Sequence, residues 1–453
     1  MAARTRAIAL RAAVVLGIAA IVVAGGLLAG LRGGGDSSSA TQAAPSAVRA
    51  TLDPVTSLTG DATQVSELQS RLQLHPANAR LEGDLGIAYL QRARETNDPS
   101  YYTKASTLLD RSLARDPGGI DATIGAGSLA LSYHDFRKAL VLGRRALKLS
   151  HGFSPPALAM IGDASVELGL YRQGFTAFAR LGHLRPGLVA YARLSYSREL
   201  QGDVTGAIRL MRRAVAAGSG APENTQWTRV QLATLLLKSG HTDAAAKEFR
   251  HALALLPNYA RAEAGLGAVA VARGNLALAQ SWYERAASHL PLPDIVAQLG
   301  DVRAARGDRA GAREAYALVG VENALFIRAG GNADLETALF DASHPGTMTH
   351  AAIVALARKA LAFRPSVYGH DALAWALYSA GRCREALPQE TLANRLGTID
   401  PQLSWHLGAI AACAGDKQLA RTALRRALAR TPRFHPLDAP SARRLLARLG
   451  GAA

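Results

Sequence analysis

A 34-residue period constrains this chain more than any other feature of its 453 residues. Segment 258–291, NYARAEAGLGAVAVARGNLALAQSWYERAASHLP, lies between Pro257 and Pro291, 34 positions apart. Its apolar spacing reads as two antiparallel helices joined by a short turn. Leu266 and Gly267 fall where the helices touch, Ala279 lets the second helix approach, and Tyr283 and Ala286 fill the next gap. The closing proline ends the second helix because it offers no N–H to the next turn.

The same register recurs. Leu85-Gly86, Ala105, Leu109 and Pro117 mark a first unit, stretched by RARETNDPSYYTK. Gly127, Ala139 and Ala146 mark the second, and Gly162, Phe178 and Pro186 the third. A weaker fourth has Ala207 and Ala214 with Ser195 at the glycine position, and the fifth has Leu232-Ala233, Ala245, Phe249, Ala252 and Pro257. After the unit quoted above come Leu299-Gly300, Ala312 and Tyr316, then Ala374 and Ala386, then Leu407-Gly408, Ala420, Leu424, Ala427 and Pro432. This is the tetratricopeptide pattern. The expected fold is all-α, a right-handed superhelical solenoid of about nine helix pairs. A cap helix and units one to seven span 61–320, an irregular helical segment 321–366, units eight and nine 367–434, and a C-terminal cap helix and tail 435–453. Aromatics at 6% and two cysteines fit packed helices and exclude a disulfide-built scaffold.

The N-terminus points to a membrane. Arg4, Arg6 and Arg11 in residues 1–11 precede the uncharged stretch 12–31, whose 20 residues would span roughly 30 Å as a helix. A transmembrane anchor or uncleaved signal is expected there, with residues 1–11 cytoplasmic and the array outside. The alternative is secretion after signal cleavage. Residues 32–60 read as a flexible linker.

Several stretches go beyond the generic repeat: DPSYYTKA at 98–105, YARLSYSRELQGD at 191–203, PLPDIVAQLGD at 291–301, DLETALFDASH at 334–344, RPSVYGHDALAWALYSAGR at 364–382 and the closing RTPRFHPLDAPSARRLL. In these the chain resembles an uncharacterised group of bacterial, membrane-anchored or exported tetratricopeptide-repeat proteins. The resemblance implies fold and export and no reaction. Where that group tends to read Asp-Ala-Asp-His, this chain has Asp341-Ala342-Ser343-His344.

Residues of each unit's first helix line the groove of such a solenoid. That register selects Tyr196, Glu199, Trp227, Tyr368, Asp371, Trp375, Tyr378 and Trp405 as partner-binding candidates, with Asp163, Glu167 and Asp301 at equivalent positions. Tyr368, Asp371, Trp375 and Tyr378 form one helical stripe, a pattern that fits a peptide-anchoring face and equally a buried core. Cys383 and Cys413 fall at neighbouring helix ends, where they either bridge or stay as two small hydrophobes.

The resulting expectation is a non-enzymatic scaffold that binds a protein or peptide segment in its groove at the cell envelope, with no cofactor and no metal. A hydrolase or metal-dependent enzyme using His344, Asp341 and Asp371 is one alternative. A binder of anionic envelope polymer or nucleic acid is another. Five arginines against Asp36 give residues 1–50 a charge of +4, so +13 of the total +17 lies on the array. Those arginines are dispersed and lack an aromatic stacking platform, which argues against nucleic acid.

Overall fold

The computed structural model describes residues 62–96, 98–218, 222–344, 346 and 348–450. The stretch 12–31 and the linker 32–60 lie outside the described residues. Among the described residues there are 22 helices and no strand, and no helix is long and apolar enough to cross a membrane.

Helix α1 (Ala62–Leu74) is followed by ten antiparallel pairs. These are α2 (Ala79–Thr96) with α3 (Ser100–Arg115), α4 (Ile120–Ser132) with α5 (Phe136–Leu149), α6 (Pro155–Glu167) with α7 (Tyr171–Leu184), and α8 (Leu188–Leu200) with α9 (Val204–Ala216). Next come α10 (Pro222–Lys238) with α11 (Thr242–Leu255), α12 (Ala260–Ala272) with α13 (Leu276–His289), and α14 (Pro293–Ala305) with α15 (Arg309–Arg328). The last pairs are α16 (Asp334–Ser343) with α17 (His350–Phe363), α18 (Val367–Ser379) with α19 (Cys383–Ala393), and α20 (Pro401–Ala414) with α21 (Lys417–Arg430), and α22 (Asp438–Arg448) covers the end. The chain is thus an all-helical, tetratricopeptide-like solenoid.

Turn chemistry sets the repeat. Gly202, Gly274, Gly307 and Gly415 end first helices with positive φ, and the next residues, Asp203, Asn275, Asp308 and Asp416, each accept a backbone N–H from the second helix. Packing does the rest. A Cβ on Gly267 would fall 2.9 Å from the Tyr283 ring, so the aromatic ring occupies the space the glycine leaves. At the weak fourth unit the fully buried Ser195 replaces that glycine and donates its hydroxyl to the Ala207 carbonyl at 2.7 Å.

The register is lost after Gly320 because α15 runs for 20 residues where other second helices have 11–16. Its overrun puts Phe326 against His134, with ring centroids 5.2 Å apart. The two helices expected to be irregular, α16 and α17, pack as a pair of their own, giving ten pairs where about nine were expected.

The solenoid closes on itself. The turns of units two to five meet the linkers that precede α16, α18, α20 and α22, along a seam of contacts 193–198 residues apart in sequence. His134 Nδ1 lies 2.7 Å from the Asn332 carbonyl, and Tyr171 Oη accepts from the Val367 N–H at 2.7 Å. Thr398 Oγ1 donates to the Leu200 carbonyl at 2.7 Å, and Thr431 Oγ1 to the Leu237 carbonyl at 3.1 Å. Lys238 Nζ reaches Asp400 at 2.8 Å.

Gly202 shows how close the two layers come. Its φ is +76°, and a Cβ there would lie 2.5 Å from the Gly397 carbonyl oxygen. Gly415, at φ +95°, would meet nothing within 4 Å. Gly415→Ala is therefore expected to cost about 1–2 kcal/mol from the left-handed backbone alone, and Gly202→Ala clearly more, as read by urea unfolding. Equal losses would mean that the seam yields freely.

Cys383 at the start of α19 and Cys413 near the end of α20 are disulfide-bonded, with α-carbons 5.7 Å apart. The bridge closes a loop with a sequence separation of 30, and reduction is expected to lower stability by about 3.6 kcal/mol on the loop-entropy argument. Thermal unfolding with and without reductant, checked against a Cys383→Ala, Cys413→Ala variant, measures it.

Candidate functional site

The closed array surrounds a cavity of about 600 Å³. Its wall is built largely from first helices: α6, α8, α10, α14, α16, α18 and α20 each turn residues into it. Of the eight partner-binding candidates, Tyr196, Glu199, Trp227 and Tyr368 line this lumen.

Asp371, Trp375, Tyr378 and Trp405 do not line it. Trp375 and Trp405, each 6% exposed, belong to the core shared by α16–α22. The Trp375 ring stacks on His406 at 3.9 Å and on the half-buried Tyr378 at 4.7 Å, and its Nε1 donates to Ser343 Oγ at 2.9 Å. Asp371 is buried and bonds His406 Nδ1 at 2.6 Å. Of the stripe expected to face a groove, Tyr368 reaches the lumen, whereas Asp371, Trp375 and Tyr378 pack among the neighbouring helices. The physical reason is that each first helix has an inward edge and a stacking face, and a 3-4-3 spacing fits both.

The residues of the enzyme alternative do not converge. His344 Nε2 sits 2.8 Å from Asp301, while Asp371 belongs to His406, and Asp341 is half-buried at the end of α16. Among the described residues no group of three or more His, Cys, Asp or Glu side chains is arranged to hold a metal ion.

A continuous polar row runs along one side of the lumen instead. Tyr316 Oη donates to Asp301 at 2.8 Å, and Asp301 also holds His344 and, at 3.1 Å, His435. His435 lies 3.3 Å from Asp438, which accepts from Gln402 Nε2 at 2.8 Å; the same Nε2 is 3.0 Å from His406 Nε2. Since Gln402 donates, His406 Nε2 accepts and Nδ1 carries the proton given to Asp371. Burial alone would push the Asp301 carboxyl up, but the hydrogen bonds from His344 and His435 outweigh it and hold Asp301 well below the usual carboxylate range. His435 is correspondingly raised, Asp301 and Asp438 overcoming the opposing effect of burial. Burial and the neighbouring Asp371 carboxylate push Glu390 well up.

Two charged clusters tie the wall to the seam. Arg364 is 4% exposed, with Nε 2.5 Å from Glu167 and Nη1 2.9 Å from Glu336. Lys238 bridges Asp400 and Glu199, the latter at 3.8 Å, and the nearby Asp400 carboxylate is the main cause of its raised pKa. Arg364, Lys238, His406 and His435 escaped the sequence reading. They sit at helix ends or off the expected groove positions, and their partners are distant in the chain.

No family model matches the sequence, and no curated protein does. Solved structures similar to it include the human IFIT1 dimer with m7Gppp-AAAA, 13% identical over 74% of this chain and 77% of that one, with a TM-score of 0.47. The TPR protein YrrB, described as having an unusual peptide-binding site, is 19% identical over 46% of this chain and 96% of its own, with a TM-score of 0.29. A tetratricopeptide repeat protein from Parabacteroides merdae is 15% identical over 60% of this chain and 96% of its own, with a TM-score of 0.40.

Proposed function

We propose that the protein is a non-enzymatic scaffold of the cell envelope that takes a peptide segment of a partner into the lumen of its closed array. The carrying observation is the cavity of about 600 Å³ walled by Tyr196, Trp227, Phe340 and Tyr368 together with a few fixed polar groups. Ligand sites are typically concavities of roughly 300–1,000 Å³ with mostly apolar walls and a small number of placed polar side chains. A wall held from both sides by the seam is preformed, so docking orders little of the receptor. The envelope location rests on the arginines before residues 12–31 and the uncharged run that follows them.

The test is crosslinking and pull-down from intact membranes, comparing wild type with a Tyr196→Ser, Tyr368→Ser variant of matched helicity. Loss of two aromatic anchors is expected to weaken capture of a discrete partner roughly tenfold or more. Undiminished capture would place binding elsewhere on the array. An alkaline phosphatase fusion after residue 60 that is active in cells would support the envelope location, and an inactive one would overturn it.

A further inference from the structure

We propose that the C-terminal end of the array, formed by α21 and α22, lies on the headgroups of an anionic phospholipid membrane, a reading that rests on the envelope location above. The basic excess is dispersed along most of the array and gathers at this end. Residues 416–450 hold nine Lys and Arg against Asp416 and Asp438, a net +7 of the chain's +17, whereas residues 62–415 together share +8.

Folding arranges these cations into one outer face. Ala420, Leu424 and Ala427 of α21 and Ala442 and Leu446 of α22 are buried, which leaves the other sides of both helices outward. Lys417, Arg421 and Arg425 follow one another at four-residue spacing along α21. Arg444 and Arg448 do the same along α22, which packs beside α21 as the last helix of the described residues. Two hydrogen bonds tie the rows together. Arg421 Nη1 donates to the Leu449 carbonyl at the end of α22 at 3.2 Å, and Arg443 Nη1 to the Pro432 carbonyl between the helices at 2.6 Å. Lys417, Arg425, Arg444 and Arg448 are exposed.

Elsewhere the arginines are neutralised locally: Arg111 and Arg115 close on Glu82, Arg285 on Glu263 and Arg303 on Glu284. Among the described residues none of the six cations of this face is ion-paired with an Asp or Glu; Arg421, Arg443 and Arg444 bond only two carbonyls and the Ser441 hydroxyl. Such a face attracts phosphate, which guanidinium groups bind at any physiological pH. It offers bases no platform, because Phe434, the one Phe, Tyr or Trp of residues 416–450, packs against the core. A bilayer fits the face without a groove, and each Lys or Arg near anionic headgroups adds to the attraction. The bilayer is also the anionic surface nearest to hand. The run 12–31 is expected to hold the chain at a membrane, and the 30 residues from 32 to 61 can separate α1 from it by at most roughly 100 Å.

The experiment places the full chain in vesicles of phosphatidylglycerol mixed with phosphatidylcholine, or of phosphatidylcholine alone. Energy transfer to a headgroup-labelled lipid is read from a fluorophore on Ala447→Cys, an exposed position between Arg444 and Arg448. Transfer is expected to be at least about twofold higher in the anionic vesicles and to fall as salt is raised. In a Lys417→Gln, Arg425→Gln, Arg444→Gln, Arg448→Gln variant of unchanged circular dichroism it should drop to the phosphatidylcholine level. Equal transfer in the two lipids, or a variant that behaves as wild type, would overturn the inference and leave the envelope location standing, since the alkaline phosphatase fusion reads that separately. Displacement from the anionic vesicles by a DNA duplex at far lower phosphate concentration than the lipid's would assign the face to nucleic acid and likewise overturn it.

Discussion

Arg364→Ala is expected to lower the stability of the array by about 3–5 kcal/mol, the range for removing one partner of a buried ion pair. The guanidinium is 4% exposed, bonds two carboxylates and lies 5.2 Å from the Phe136 ring centroid. Its loss strands Glu167, itself 3% exposed, and removes the guanidinium that helps hold Glu336 below its ordinary range against the opposing effect of burial. Because Glu167 lies 197 residues away, the damage should fall on closure of the superhelix before it falls on any single helix pair. Urea unfolding followed by circular dichroism measures the loss. Arg364→Met combined with Glu167→Leu and Glu336→Gln should recover much of it, since no carboxylate then remains unpaired. A loss below about 1 kcal/mol for Arg364→Ala would put the pair in the class of surface salt bridges and contradict the buried seam.

Trp375→Ala is expected to cost a similar 3–5 kcal/mol, the range for deleting a large aromatic from a packed core. The indole touches His406, Tyr378 and Trp405, the last at 6.2 Å between ring centroids, and gives its N–H to Ser343. Truncation therefore opens a void between α16, α18 and α20 and leaves Ser343 Oγ without that donor. Differential scanning calorimetry should show a clear fall in Tm. Partner affinity, measured below that Tm, should change little because Trp375 does not line the lumen. A variant with unchanged Tm and lost capture would return Trp375 to a binding face.

The contrast between these residues shows what a sequence of this kind makes legible. Gly267 with Tyr283 and Ala279 are local signals, each fixed by packing within one helix pair, and a 34-residue period exposes them directly. Tyr196, Glu199, Trp227 and Tyr368 line the lumen because the inward edge of a first helix follows from the same register. Trp375 and Trp405 shared that register but lie on the stacking face, and helical spacing does not separate the two. Arg364, Lys238 and His435 could not be found this way. Their partners lie at sequence separations of 197, 162 and 134, and meet them only because small rotations between successive pairs accumulate into a closed turn. The pair α16–α17 was masked by the long α15, which shifts everything after it out of phase.

Closure of the superhelix is the claim on which the lumen, its wall and its occupant depend. Spin labels at the exposed positions Arg137 and Ala362 test it directly, because Arg137 Nη2 lies 2.8 Å from the Ala362 carbonyl across the seam despite a sequence separation of 225. A single narrow, short distance in dipolar electron paramagnetic resonance is the expected result. A broad distribution at long distances would mean that the solenoid is open in solution and that no enclosed site exists.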